Sequence, residues 1–181
     1  MIRLFIGLRP DKNIRRLLSS LGTSIPGSRP VPEEQVHLTL RFIGEVNGNL
    51  FHDITESLSK LQSSPITLAI RGTGHFPPRG NPRVIWAGVE PAGDIIILRN
   101  KVNYLLNLCG VAPEQRKFHP HFTLARLKNS PIKRVAGFLA ANALLQSPPC
   151  TIDRVSLFSS NLTPKGALHK EEASYLLNSD E

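Results

Sequence analysis

The amino-acid sequence predicts an α+β protein: two lobes, each an antiparallel sheet with helices, related by a pseudo-two-fold axis and facing a central cleft. Three observations lead there. The pattern His-x-Thr-Leu, with x apolar, occurs twice, as His37-Leu38-Thr39-Leu40 and as His121-Phe122-Thr123-Leu124. The order helix, His-x-Thr-Leu strand, helix, strand surrounds each copy, although identity beyond the motif is slight. No linker separates the halves, so residues 1–181 read as a single domain made of two intertwined lobes.

The elements follow in order. The run Ile2–Leu8, rich in Ile, Leu and Phe, reads as a strand. Pro10-Asp11 opens a helix with Ile14, Leu17, Leu18 and Leu21 on one stripe. Residues 23–32, with Pro26, Gly27, Pro30 and Pro32, read as a loop. The first motif strand follows and stops at Gly44. Period-two alternation turns His37 and Thr39 to one face and Leu38, Leu40 and Phe42 to the core. A helix over residues 49–62 buries Phe51, Ile54, Leu58 and Leu61, and residues 66–70 and 83–89 are strands. Between them, residues 71–82 hold so many Gly and Pro that no regular structure is expected. A helix over 94–109 buries Leu98, Val102, Leu105 and Leu106 and ends at Gly110. In the second motif strand His121 and Thr123 share a face, while Phe122 and Leu124 back into the core. Ser130-Pro131 reads as N-cap and first residue of a helix carrying Val135, Phe138 and Leu139. Residues 151–158 and 166–177 read as closing strands.

Composition is globular, 40% hydrophobic and 20% charged. A net charge of +8 and a pI of about 10.0 favour an anionic partner. The basic residues are scattered (Arg15-Arg16, Arg79, Arg83, Arg116, Lys117, Lys133-Arg134), which fits a broad positive field and not a polybasic membrane anchor. Cys109 and Cys150 make no disulfide framework and read as buried free thiols. The first apolar run is broken by Arg3 and is too short for a signal peptide, and no stretch spans a membrane. The expectation is a cytoplasmic monomer with no protein partner.

Two histidines facing one cleft suit in-line displacement at phosphorus. A neutral imidazole takes the proton of the attacking oxygen, and an imidazolium protonates the leaving oxygen. A threonine two residues on places a hydroxyl on the same face, where it can donate to a non-bridging phosphate oxygen. One such strand alone would be an ordinary solvated sheet face; the duplication is what points to chemistry.

The residues carrying these features resemble the 2H phosphoesterase superfamily, and within it the bacterial and archaeal RNA 2′,3′-cyclic phosphodiesterases, also called 2′-5′ RNA ligases. The resemblance runs through Arg3-Leu4-Phe5-Ile6-Gly7-Leu8 and His37-Leu38-Thr39-Leu40-Arg41-Phe42-Ile43-Gly44. It continues through Pro82-Arg83-Val84-Ile85-Trp86-Ala87-Gly88-Val89 and His119-Pro120-His121-Phe122-Thr123-Leu124-Ala125-Arg126. It implies the 2H phosphoesterase fold and metal-free hydrolysis of an RNA-terminal 2′,3′-cyclic phosphate to a 2′-phosphomonoester, with ATP-independent, reversible 2′-5′ ligation as the reverse chemistry. It implies His37 as proton donor, His121 as proton acceptor, and Thr39, Thr123 and Arg126 as phosphate-binding residues. Strict alternation sets Arg126 on the face opposite His121, so its role requires a bulge or the strand's end. From Leu162 onward no matching motif is found.

Other side chains carry less. His119 shares a face with His121 and reads as structural or solvated. Phe76 and Trp86 can stack a base, although core packing is the expected place of Trp86. Arg79 and Arg83 flank the Gly/Pro loop and can reach phosphates. His52, His75 and His169 carry no motif. His37, His119 and His121 have no carboxylate or cysteine ligand beside them, so no metal and no cofactor is expected. RNA ends or 2′,3′-cyclic nucleotides are the expected partners. The competing readings are a non-catalytic RNA-binding module and a metal-dependent phosphohydrolase.

Overall fold

The computed structural model describes residues 1–164 and 166–178. Strand β1 covers Ile2–Leu8 and helix α1 Lys12–Thr23, whose start is fixed by the Asp11 carboxylate accepting from the Ile14 amide at 2.9 Å. There follow β2 (Ser28–Pro30), a 3₁₀ turn (Glu33–Gln35), β3 (Leu38–Val46), α2 (Gly48–Leu58), β4 (Ile66–Phe76) and β5 (Val84–Glu90). The rest comprises α3 (Gly93–Leu108), β6 (His121–Leu127), α4 (Ile132–Ala141), β7 (Cys150–Ile152), β8 (Arg154–Thr163) and β9 (Gly166–Leu176). Among the described residues the strands run antiparallel in the order β7-β4-β5-β6-β3-β1-β8-β9, with β2 paired to β6.

One lobe is β3, β1, β8 and β9, and the other is β6, β5, β4 and β7. They meet where β3 and β6 share the rung Leu38↔Phe122. Continued antiparallel from that rung, the register sets His37 across from Thr123 and Thr39 across from His121. This is the pseudo-two-fold relation expected from the duplicated motif. The helices cover one face of the sheet. Ile14 and Leu18 of α1, Ile54 of α2, Val102 of α3 and Val135 of α4 join Ile6, Leu38, Ile85 and Phe122 in one apolar core. The other face holds the cleft.

Several boundaries differ from the sequence reading. Residues 71–76 are not loop: β4 runs on to Phe76, because Gly72 takes a φ of +64° and makes a bulge between Ile70 and Thr73. The first motif strand likewise passes Gly44, which accepts a φ of +95° at another register shift, and runs to Val46. The expected loop at 23–32 contains β2. The helix expected over 49–62 ends at Leu58. Residues 151–158 are not one strand; β7 pairs with β4 and β8 with β1, with the chain changing partners at Asp153. Ser130 does not cap α4, which starts at Ile132 with Pro131 in the cap position and no side-chain cap bond.

Two further bulges matter most. Between β1 and β3 the ladder shifts between Ile6↔Arg41 and Gly7↔Thr39, taking in Leu40. Leu40 and Arg41 are therefore both buried, and Phe42, expected in the core, returns to the His37 face with 57% exposure. Between β5 and β6 the shift between Ile85↔Ala125 and Trp86↔Thr123 takes in Leu124. Leu124 and Ala125 are both buried, and Arg126 emerges exposed on the His121 face. The freed carbonyls are satisfied from outside the ladder. Leu40 O accepts from Arg99 Nε at 3.0 Å, and Leu124 O from the Val31 amide at 2.9 Å.

Candidate active site

His37 stands just before β3, and His121 is the first residue of β6. Each ring is tethered to a carbonyl two residues back. His37 Nδ1 donates to Gln35 O at 2.7 Å, and His121 Nδ1 to His119 O at 2.6 Å. A carbonyl only accepts, so Nδ1 carries the hydrogen in both, and Nε2 is left for proton exchange.

Aromatic walls hold the rings. His37 lies 4.8 Å from Phe5, 6.0 Å from Phe158 and 5.1 Å from His169, centroid to centroid. Gly7 makes the room: a Cβ there would come within 2.9 Å of Leu38 O and 3.7 Å of the His37 ring. His121 lies 5.0 Å from Phe76 and 6.0 Å from Trp86. Trp86 in turn covers Gly74, where a Cβ would stand 2.2 Å from the indole. Trp86 is thus half-buried in the cleft wall and not in the core as expected, because residues on its face of β5 back onto no helix.

The walls set the proton affinities. Burial pushes the His37 imidazole down from its ordinary 6.5 to about 4; the Gln35 carbonyl opposes this, and the positive charges of His169, Arg9 and His121 add to it. His121 is also lowered, first by burial, against the His119 carbonyl and with help from the His119 ring. Both imidazoles are thus shifted toward the neutral form.

Thr39 and Thr123 are half-buried, and neither hydroxyl bonds to a protein group among the described residues. Arg126 faces the cleft near His169, whose proton affinity is lowered first by burial and then by the Arg126 charge. His119 is edge-on to Trp86 at 4.7 Å and roughly parallel to His121 at 6.1 Å. Arg79 and Arg83 are exposed and make no side-chain ion pair among the described residues. His52 and His75 stand outside these ring contacts. No three His, Cys, Asp or Glu side chains gather as metal ligands among the described residues.

Sequence reasoning missed Phe5, Gln35, Phe42, Phe158 and His169. The apolar run Leu4–Leu8 within β1 signals a stretch buried on both faces, and so could have flagged Phe5. No local pattern marks His169, which arrives by topology.

A family model described as LigT like phosphoesterase matches the chain twice, over residues 6–86 and 89–169, one motif in each. The RNA 2′,3′-cyclic phosphodiesterase of Aeropyrum pernix is 34% identical over 160 residues, 87% of this chain and 90% of that protein. The protein of the same name from Archaeoglobus fulgidus is 32% identical over 94% of this chain and 97% of its own length. Among solved structures, TT0787 of Thermus thermophilus superposes with a TM-score of 0.78 at 26% identity, covering 99% of this chain and all of that one. The Escherichia coli LigT complexed with 3′-AMP also gives 0.78, at 21% identity over 98% of this chain, a likeness of fold. Matched in both halves and along nearly its whole length, the chain belongs to the LigT like phosphoesterase family.

Proposed function

We propose that this protein is an RNA 2′,3′-cyclic phosphodiesterase working by two-histidine acid–base catalysis, with RNA ends or 2′,3′-cyclic nucleotides as substrates. The observation that carries the reading is the twofold tether. In each lobe a motif imidazole gives Nδ1–H to a carbonyl and keeps Nε2 free, across one rung from the other lobe. The names of the relatives supply the reaction class.

In the hydrolytic step His121 Nε2 takes a proton from water as its oxygen attacks phosphorus. The bond from phosphorus to the 3′ oxygen breaks, and His37 gives its proton to that oxygen, leaving a 2′-phosphomonoester. Thr39 and Thr123 donate to the non-bridging oxygens and Arg126 balances their charge, in a site where groups held in place act on developing charge without reorganising. Burial favours the neutral His37 ring, and a phosphate anion beside it raises its proton affinity and so supplies the acid form. A ribose 5′-hydroxyl in place of water gives reversible 2′-5′ ligation by the same two transfers, without ATP or metal. We take the protein to act as a cytoplasmic monomer; no helix among the described residues is long and apolar enough to cross a membrane.

End-group analysis of a short RNA carrying a 2′,3′-cyclic phosphate tests the reading, run with and without excess EDTA. The expected product is the 2′-phosphate in both. No turnover favours a non-catalytic RNA-binding module. Turnover abolished by EDTA and restored by Zn²⁺ or Mn²⁺ favours a metal-dependent phosphohydrolase. A 3′-phosphate or an even mixture contradicts the assignment of His37 to the 3′ oxygen.

A further inference from the structure

The cleft holds a third imidazole that neither motif supplies. His169, on β9, stands edge-on to His37 with centroids 5.1 Å apart and planes at 89°. It is also edge-on to Phe5, at 4.8 Å and 77°. Gln35 governs both rings. Its carbonyl accepts from His37 Nδ1 at 2.7 Å, its Oε1 accepts from the His169 amide at 2.9 Å, and its Nε2 donates to His169 O at 3.4 Å. One residue therefore sets the position of β9 relative to the His37 ring. The Nδ1 of His169 is buried with no hydrogen-bond partner among the described residues, so a structural hydrogen bond at that nitrogen does not account for the side chain. Ring contact does. In the other lobe Phe76 stands edge-on to His121, at 5.0 Å and 75°; by register it matches Phe158 of β8 and not His169 of β9. Each motif imidazole thus has an aromatic edge closing one side, and on the His37 side that edge is basic.

Building on the phosphodiesterase reading, we infer that His169 is a positioning residue for His37, closing the free side of its ring so that Nε2 meets the leaving oxygen in one orientation. The Gln35 carbonyl fixes which way the His37 ring is flipped, and the edge-on contact limits its rocking about χ2. The same contact excludes water from the ring. Burial is the main cause that holds both rings toward the neutral form, with Arg9 and the neighbouring imidazoles adding to it at His37 and Arg126 adding to it at His169.

The full-length protein tests this with a dinucleotide ending in a 2′,3′-cyclic phosphate, alongside NMR titration of the His37 ring. His169→Ala should lower kcat roughly ten- to a hundredfold with KM changed by no more than about twofold. It should also move the His37 titration upward as water reaches the ring. His169→Phe keeps the aromatic edge and should restore most of kcat. Wild-type kcat in His169→Ala, or a His169→Phe as impaired as His169→Ala, overturns the inference. If the wild-type protein leaves the cyclic phosphate intact, the functional reading fails. The titration then decides alone, and an unmoved His37 in His169→Ala overturns the positioning role.

Discussion

His37→Ala and His121→Ala should each lower kcat roughly 10²- to 10⁴-fold with the fold intact, and the double variant should lose less than the product of the two. Near-wild-type turnover in either folded single variant rules out the two-histidine mechanism. His37 also links stability to pH. Its folded proton affinity lies near 4, below the ordinary 6.5, so the folded state favours the neutral ring. As pH falls through 6.5 the unfolded chain takes up a proton that the folded one refuses. Stability is therefore whole above about 6.5, falls between there and about 4, and has lost up to about 3 kcal/mol below. Urea midpoints measured across that window should flatten in His37→Phe. An equal slope in both proteins would mean the ring is not shielded as described.

The two motif strands owe their usefulness to what interrupts them. A regular β6 would aim Arg126 at the helices; the bulge at Leu124 turns it to the cleft, and the bulge at Leu40 does the same for Phe42. This also marks the limit of legibility in the sequence. The alternation of His37, Thr39, His121 and Thr123 could be read directly, because the register is regular up to the bulge. Phe42 could not, since nothing in Leu40-Arg41 announces an extra residue. Arg126 was legible only as a conflict between alternation and family resemblance, which the bulge resolves. Residues 71–76 were misread for a related reason: Gly72 and Gly74 look like breakers, yet one makes a bulge and the other leaves room for Trp86. Gly74→Ala should therefore push the indole off its seat. We expect a loss of about 1–3 kcal/mol from overpacking, together with reduced turnover through the His121 wall. Thermal unfolding and kcat measured on the same sample check it; a neutral substitution would show that Trp86 adapts without disturbing His121.

For the molecule as a whole, a charge of +8 spread over the surface gives a cleft able to draw in a polyanion. RNA affinity should fall with salt, at a slope of about −0.7 for each phosphate contacted on a single strand. An affinity flat in salt would place the binding of longer RNA elsewhere, and oligonucleotides should then bind no better than a lone cyclic nucleotide. The α+β bilobal plan was legible because the order of elements repeats. How the two halves of the sequence share out their strands, β4 and β5 to the second motif's lobe and β8 and β9 to the first's, was not, since pairing partners distant in sequence leave no local pattern.

That sharing has a consequence for the order in which the site comes into being. His37 is made early, but its walls, Phe158 and His169, belong to β8 and β9, which are made last, β8 pairing with β1 and β9 with β8. A chain still being synthesised carries both motif histidines long before the first is enclosed. Arrested nascent chains of increasing length should open a cyclic phosphate efficiently only once β9 has left the ribosome, so the site reaches full activity only when the strand that closes it has emerged.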